Sequence, residues 1–260
     1  HNHTMSLRVF QSKTSDDKSS FLNYFRDPYK DPECVPMYEW QTKSYPTCNY
    51  LHEVMDPTEL YYLSHGYFRS VFELLVDYGP EASRKPKLVA LKLLNYPGHK
   101  VNDRNMVRHA RDATIAGMLK SSPNVVDIYG YCGNSALYEY GNKKLGSAMM
   151  VGEDKANDLK MLRLFSDIAN GLKDVHALGG GKYPAVSHTD INYSQILAID
   201  GKYKISDFNR AHFHYWNSSS QIGTCPYIYQ SSNNQQHRSP EEYSYELQTE
   251  KIDIFSLGNV

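Results

Sequence analysis

From Leu60 to Tyr140 the apolar residues of this chain run mostly in short strand-like stretches. From Asp158 to Leu178 they recur instead at three- and four-residue steps. A strand turns alternate side chains to opposite faces, whereas a helix returns to one face after three or four residues, so the change of spacing marks a change of element. Val71–Tyr78 and Leu88–Leu94, separated by a polar turn from Gly79-Pro80 to Pro86, read as a hairpin. Asn102 or Asp103 caps a helix running to about Leu119, and Ser122-Pro123 ends it. Val125–Tyr131 and Ala136–Tyr140 read as two further strands. In the long helix Leu162, Phe165, Ile168/Ala169, Leu172 and Val175/His176 make one apolar stripe, and Gly179-Gly180-Gly181 stops it. Strands first and helices later predict an α+β fold in two lobes.

The 260 residues are 40% hydrophobic and 22% charged, enough to bury a core. A net charge of -1 gives no support for non-specific nucleic-acid binding, so nucleic acid is not an expected partner. No apolar run approaches a membrane helix and no signal peptide is visible. The chain starts at His1 and stops in mid-pattern at Val260, so it reads as a fragment. Membrane association is therefore expected only through segments outside it, and the compartment stays open. Its 22 tyrosines read as packing residues first and phosphosites second. Residues 1–30 are a polar arm, and 31–58, with Pro32, Pro36, Pro46 and Pro57, read as an irregular strap on the lobe that follows. Four cysteines are too few for a disulfide scaffold. A Cys34–Cys48 bridge would contribute roughly 3 kcal/mol through chain entropy, and two free thiols in a reducing compartment fit equally well. Sequons at Asn2, Asn192 and Asn217 occur at about the chance rate and do not decide between compartments.

Two aspartates stand where strand-rich segments break into loops, in His188-Thr189-Asp190 and Asp207-Phe208-Asn209. Together these stretches resemble the catalytic loop and metal-binding turn of the protein kinase fold. On them the chain is identified as a divergent member of the eukaryotic protein kinase-like superfamily, with a β-rich small lobe and a helical large lobe. The resemblance implies that Asp190 orients the acceptor hydroxyl and takes its proton, while Asp207 holds Mg²⁺ against the phosphates of ATP. The loop continues to Ile191-Asn192-Tyr193-Ser194-Gln195-Ile196-Leu197, similar to H-R-D-L-x-x-x-N. His188 is then structural. Thr189 replaces the arginine that pairs with a phosphorylated activation segment, and Asn192 replaces a lysine near the γ-phosphate. Gln195 stands for the second metal ligand, its amide oxygen displaced by one carbon–carbon bond, ~1.5 Å, against an ion that tolerates poor octahedral geometry badly. Asn209 occupies a glycine position and is the side chain best able to take left-handed backbone there.

In the small lobe Ala90-Leu91-Lys92 resembles the strand that aims a lysine at the α- and β-phosphates. A lysine in an apolar run requires an anionic partner, and Asp112 on the following helix is the best-placed acid, one methylene shorter than the family's glutamate. Ser64-His65-Gly66-Tyr67-Phe68-Arg69-Ser70-Val71 stands for G-x-G-x-x-G-x-V. It keeps Gly66, the tip aromatic Phe68 and the adenine-covering Val71, and it is stiffer and bulkier for want of two glycines. Glu139-Tyr140-Gly141 resembles the hinge that receives adenine, with Tyr138 guarding a restricted back pocket. Ser239-Pro240-Glu241 resembles A-P-E, with Glu241 awaiting an arginine outside the chain. Asp253 to Gly258 resembles the start of the central helix, where Asp253 braces the catalytic loop. The segment Asp207–Glu241 carries Tyr227, Tyr229, Ser231 and Ser232 but is expected to be an ordinary polar loop, because Thr189 brings no guanidinium.

The implied organisation is arm and strap at 1–58, small lobe at 59–141 and an incomplete large lobe at 142–260. The implied activity is transfer of the γ-phosphate of ATP to a protein hydroxyl, serine or threonine ahead of tyrosine, with Mg²⁺. The alternative is a pseudokinase, a nucleotide-binding or scaffolding module of the same fold. A small-molecule phosphotransferase ranks last, since it lacks a long segment ending in Ser-Pro-Glu.

Overall fold

The structure is a computed structural model and describes residues 34–37, 60–76, 87–95, 98–141, 143–144, 155–219, 223–229 and 236–260. Five antiparallel strands make the sheet of the small lobe. They are β2 (Tyr61–His65), β3 (Arg69–Val76), β4 (Lys87–Leu94), β5 (Ile128–Cys132) and β6 (Ser135–Glu139), in the spatial order β2-β3-β4-β6-β5. Alternation along β4 sends Val89 and Leu91 to one face, where they join Leu74, Val76 and Leu137 in a small core. Ala90 and Lys92 point the other way, into the cleft between the lobes.

The strands match expectation except at their ends. β3 begins at Arg69 rather than Val71, and its expected end and the turn at 79–86 lie outside the described residues. Val125 is not part of β5. It bridges Ile205 of the large lobe in parallel, so the segment ahead of β5 joins the two lobes. Helix α1 (Asp103–Met118) starts where its cap signal lies, with the Asn102 side chain accepting the Asn105 N–H at 3.0 Å. It buries Val107, Ala110, Ala113, Ile115 and Ala116 against the main core.

Helix α2 (Lys155–His176) is the axis of the large lobe. Its buried face is Leu164, Ile168, Leu172 and Val175, whereas Leu162 and Ala169 are exposed and Phe165 is half-buried. The stripe read from the sequence is therefore rotated. Gly171 explains the rotation: a Cβ there would sit 2.8 Å from the Asn124 carbonyl oxygen and 2.9 Å from Ile205 Cδ1, so this is the side on which the backbone makes its closest approach. Gly179 and Gly180, both at positive φ, follow the helix as its expected stop.

Beyond α2, β8 (Val186–Ser187) pairs with β11 (His212–Phe213), and β9 (Ile196–Ile199) pairs with β10 (Lys202–Ile205) across a left-handed Asp200-Gly201 turn. Lys143–Lys144, β7, joins the β9 edge. Of the strap, β1 (Cys34–Pro36) pairs with β12 (Tyr215–Asn217). The described part of the strap thus lies on the large lobe, not on the small lobe as the chain order suggested. Helices α3 (Pro240–Ser244) and α4 (Lys251–Leu257) close the described structure.

Cys132 and Cys225 are each disulfide-bonded, which the sequence reading, confined to Cys34 and Cys48, did not anticipate. The proposed Cys34–Cys48 bridge involves side chains outside the described residues. Among the described residues no helix is long and apolar enough to cross a membrane.

Candidate active site

The loop after β8 owes its shape to one buried carboxylate. Asp253 of α4 accepts the backbone N–H of His188 through Oδ2 and that of Thr189 through Oδ1, both at 2.7 Å, and His176 of α2 lies 2.9 Å from Oδ2. These bonds hold Thr189 at φ 62, a left-handed conformation that costs a β-branched residue of order 1–3 kcal/mol. The Thr189 hydroxyl donates to the Arg210 carbonyl at 2.8 Å. His188 is fully buried, with Nδ1 accepting the Asp190 N–H and Nε2 beside the Ser206 carbonyl, so its ring ties the two aspartate loops together.

Asp190 emerges from this turn into the cleft. Arg238 donates to its Oδ1 at 2.8 Å, and the Gln195 amide donates to Oδ2 at a long 3.4 Å. Burial works against the carboxylate, but His237, Arg210, Arg238 and His188 outweigh it and hold Asp190 below the ordinary carboxylate range. Arg238 was not legible as a site residue. Buried itself, it also bonds the Thr189 carbonyl and Glu242, one helical turn on, at 3.1 and 3.0 Å. Its place just before Ser239-Pro240-Glu241 is the signal that could have found it. The buried acid of that segment is Glu242, while Glu241 is exposed. Asn192 caps the short helical turn Tyr193–Gln195.

Asp207 faces the same cleft. It adopts φ 69, and Asn209, expected to be the left-handed residue, lies instead in the short helical turn Phe208–Arg210. The left-handed residue of this turn is therefore the aspartate itself. Its Oδ1 is buried without a hydrogen-bond partner among the described residues. Burial, helped by Asp112, raises its pKa, although Lys92 and Arg69 oppose the shift. A buried, unsatisfied carboxylate oxygen fits a hard cation, and Gln195, which lines the same cleft, offers an amide oxygen.

The cations of the small lobe are arranged differently from expectation. Asp112 is fully buried and does not pair with Lys92. Its Oδ1 accepts the Phe208 N–H at 2.7 Å, its Oδ2 accepts the Tyr138 hydroxyl at 2.7 Å, and Arg69 Nη1 lies 3.1 Å from Oδ2. Burial opposes ionisation of Asp112, but Arg69, Lys92 and these two donors prevail and lower its pKa. Lys92 Nζ sits 4.3 Å above the Tyr138 ring. The shorter acid keeps its carboxylate close to α1, and a guanidinium from β3 reaches it. Asp112 therefore acts on the cleft through Arg69, Tyr138 and Phe208 rather than by lining it. Tyr138, the expected back-pocket guard, lines the cleft and also ties its wall to α1 through its hydroxyl bond to Asp112.

Gly66, Phe68, Val71, Ala90, Glu139 and Gly141 all line the cleft, as their motifs suggested. Gly66 is not at positive φ, and a Cβ on it would meet nothing within 4 Å, so open space rather than strain is what it provides. The loop tip leans on α1: the Arg108 guanidinium lies 4.2 Å from the Phe68 ring centroid, and His99 is 4.9 Å from it. At the hinge Glu139 accepts two bonds from Lys204, at 2.9 and 2.7 Å, and its own N–H donates to Asp127. A Cβ on Gly141 would come within 3.1 Å of Ile199, so glycine lets the hinge pass close over β9.

This fold and this cleft are those of a protein kinase, and residues 79–260 match the protein kinase domain family, to which the chain belongs. Among curated proteins it is similar to leucine-rich-repeat receptor-like serine/threonine-protein kinases of Arabidopsis thaliana. One, a putative kinase of this type, is 28% identical over 160 residues, covering 59% of this chain and 16% of the relative. A probable one is 32% identical over 151 residues, covering 53% and 15%. A third is 26% identical over 202 residues, covering 76% and 21%. The chain thus spans between a seventh and about a fifth of the length of these relatives.

Proposed function

We propose that this domain, with lobes at 59–141 and 142–260, transfers the γ-phosphate of ATP to a protein hydroxyl, serine or threonine ahead of tyrosine. The observation that carries the reading is the opening of Asp190 and Asp207 onto one cleft, with Asp207 Oδ1 unsatisfied among the described residues. The relatives' names, which say serine/threonine kinase, favour that acceptor class. Asp207 and Gln195 would hold Mg²⁺, which when bound neutralises charge on the β- and γ-phosphates. Lys92, Val71, Ala90, Glu139 and Gly141 all line the cleft, where Lys92 would meet the phosphates and the other four the adenine. Asp190 Oδ2, which among the described residues carries only the long Gln195 bond, is the oxygen that would orient the acceptor hydroxyl and take its proton. The acceptor oxygen then bonds to the γ-phosphorus as the bond to the ADP oxygen breaks.

A pseudokinase is the second reading, favoured by Arg238 sitting on Asp190 and by Ser64 and Arg69 at glycine positions. Transfer of labelled γ-phosphate from Mg²⁺-ATP by the full chain, beside Asp190→Asn, separates them. Transfer lost at least 100-fold in the variant supports the kinase, in line with general-base contributions of about 10²–10⁴. Absence of both transfer and Mg²⁺-dependent ATP binding supports the pseudokinase.

A further inference from the structure

We propose that Arg238 is a positioning residue for Asp190, holding one carboxylate oxygen so that the other is aimed at the acceptor. The proposal rests on the reading of Asp190 as the group that orients the acceptor, and it adds the part of the chain that aims it. Two segments divide the backbone of the turn between them. Asp253 of α4 takes the N–H groups of His188 and Thr189. Arg238, two residues ahead of α3, takes the carbonyl of the same Thr189 through Nη1 at 3.1 Å. The peptide that leads into Asp190 is thereby fixed at its oxygen. The other arm of the same guanidinium, Nη2, donates to Asp190 Oδ1 at 2.8 Å. A planar fork sets the angle between these two bonds, which the rotating ammonium of a lysine would not do.

Arg238 is itself anchored. Nη1 also donates to Glu242 Oε1 at 3.0 Å, and the two side chains are only 2% and 1% exposed. Glu242 Oε2 accepts the Ser239 N–H at 3.0 Å in the capping box that starts α3. The aim of Asp190 is thus tied to the end of the Asp207–Glu241 segment by that segment's own side chains. This link needs neither a phosphate on the segment nor an arginine at position 189. Nor does the contact block the site, because it falls on Oδ1. Among the described residues Oδ2 carries only the long Gln195 bond, and His237 Nε2 lies 3.8 Å from Oδ1 as well.

The test is steady-state hydrolysis of Mg²⁺-ATP by the full chain, with water as the acceptor, so that no protein substrate is required. The variants are Arg238→Leu, Arg238→Lys, and Arg238→Leu with Glu242→Gln, which leaves no orphaned carboxylate at α3 if the single variant fails to fold. Each is made in the wild-type and in the Asp190→Asn background. Arg238→Leu, alone or with Glu242→Gln, should lower kcat about 10- to 100-fold, as a misaimed group does, with the KM for ATP unchanged. Arg238→Lys should recover part of that loss. In the Asp190→Asn background Arg238→Leu should cost nothing further, because it acts only through that carboxylate. Losses of equal size in both backgrounds, or a change in KM alone, would reduce Arg238 to a brace of α3 and overturn the proposal. A kcat that rises in Arg238→Leu would mark the contact as a block and overturn it too. A wild-type chain that hydrolyses no ATP would remove the catalytic reading and the proposal together. Hydrolysis that is lost in Asp190→Asn but untouched by Arg238→Leu removes the Arg238 assignment alone.

Discussion

The catalytic loop and the small-lobe cation site face one cleft, yet they are held by different kinds of bond. Asp253 grips the loop by the backbone N–H groups of His188 and Thr189, which any residue supplies. Side chains there can therefore change, arginine to Thr189 and lysine to Asn192, without loss of the turn. The small-lobe site depends on a buried side-chain pair, so shortening the acid to Asp112 reassigned its partner, and Arg69 took the place expected for Lys92. Backbone-braced geometry tolerates substitution, whereas side-chain ion pairs move with it.

Acid should stress both regions most. His109 beside Arg69 is pushed down to about 2, by burial first and by Arg69 second, and His214 on the large lobe is pushed down to about 4, mainly by burial. His212 shifts the same way for the same first reason. The unfolded chain binds protons on these rings below about pH 6.5 while the fold does not, so stability is full above that pH and falls as pH drops. Between pH 6.5 and 4 each of His109 and His214 should remove about 3 kcal/mol, read by urea unfolding across that window. Asp112 and Asp190 add to the loss only below the ordinary carboxylate range. Flat stability across the window would contradict neutral burial of these rings.

The ion pair comes next. Asp112→Ala orphans Arg69 and should cost about 3–5 kcal/mol, and adding Arg69→Met should recover much of it, because removing both partners leaves no buried charge. Asp253→Ala leaves two buried N–H groups without partners, about 2–4 kcal/mol together, and no second substitution should rescue that loss, since its partners in the loop are backbone groups. Chemical unfolding of the single and double variants decides this, and a rescue of Asp253→Ala by any side-chain change would break the contrast. Smallest is Tyr138→Phe, which removes one of the bonds to Asp112 and should cost about 1–2 kcal/mol in the same assay.

Much of this was legible beforehand. Asp190, Asp207, Lys92, Gly66 and Gly141 share one cleft as their motifs implied. The capped start of α1 and the glycine stop of α2 follow from local chemistry, because a cap or a left-handed stop involves residues within one turn. The misreadings concern contacts between elements. The stripe of α2 turned toward Leu164 because Gly171 meets Asn124 and Ile205, both far away in sequence. The strap residues at β1 found β12 rather than the neighbouring lobe. Cys132 and Cys225 are each disulfide-bonded although spacing gave no sign of it.

The order of motifs and the elements that carry them were determined by the sequence alone, since periodicity, caps and breakers act over a few residues. Only the tertiary structure decided which cation meets Asp112, that Arg238 lies on Asp190, and that Glu242 rather than Glu241 is buried. Those outcomes depend on the reach of long side chains across a strand, a helix and a loop brought together by packing, a distance that spacing along the chain does not encode.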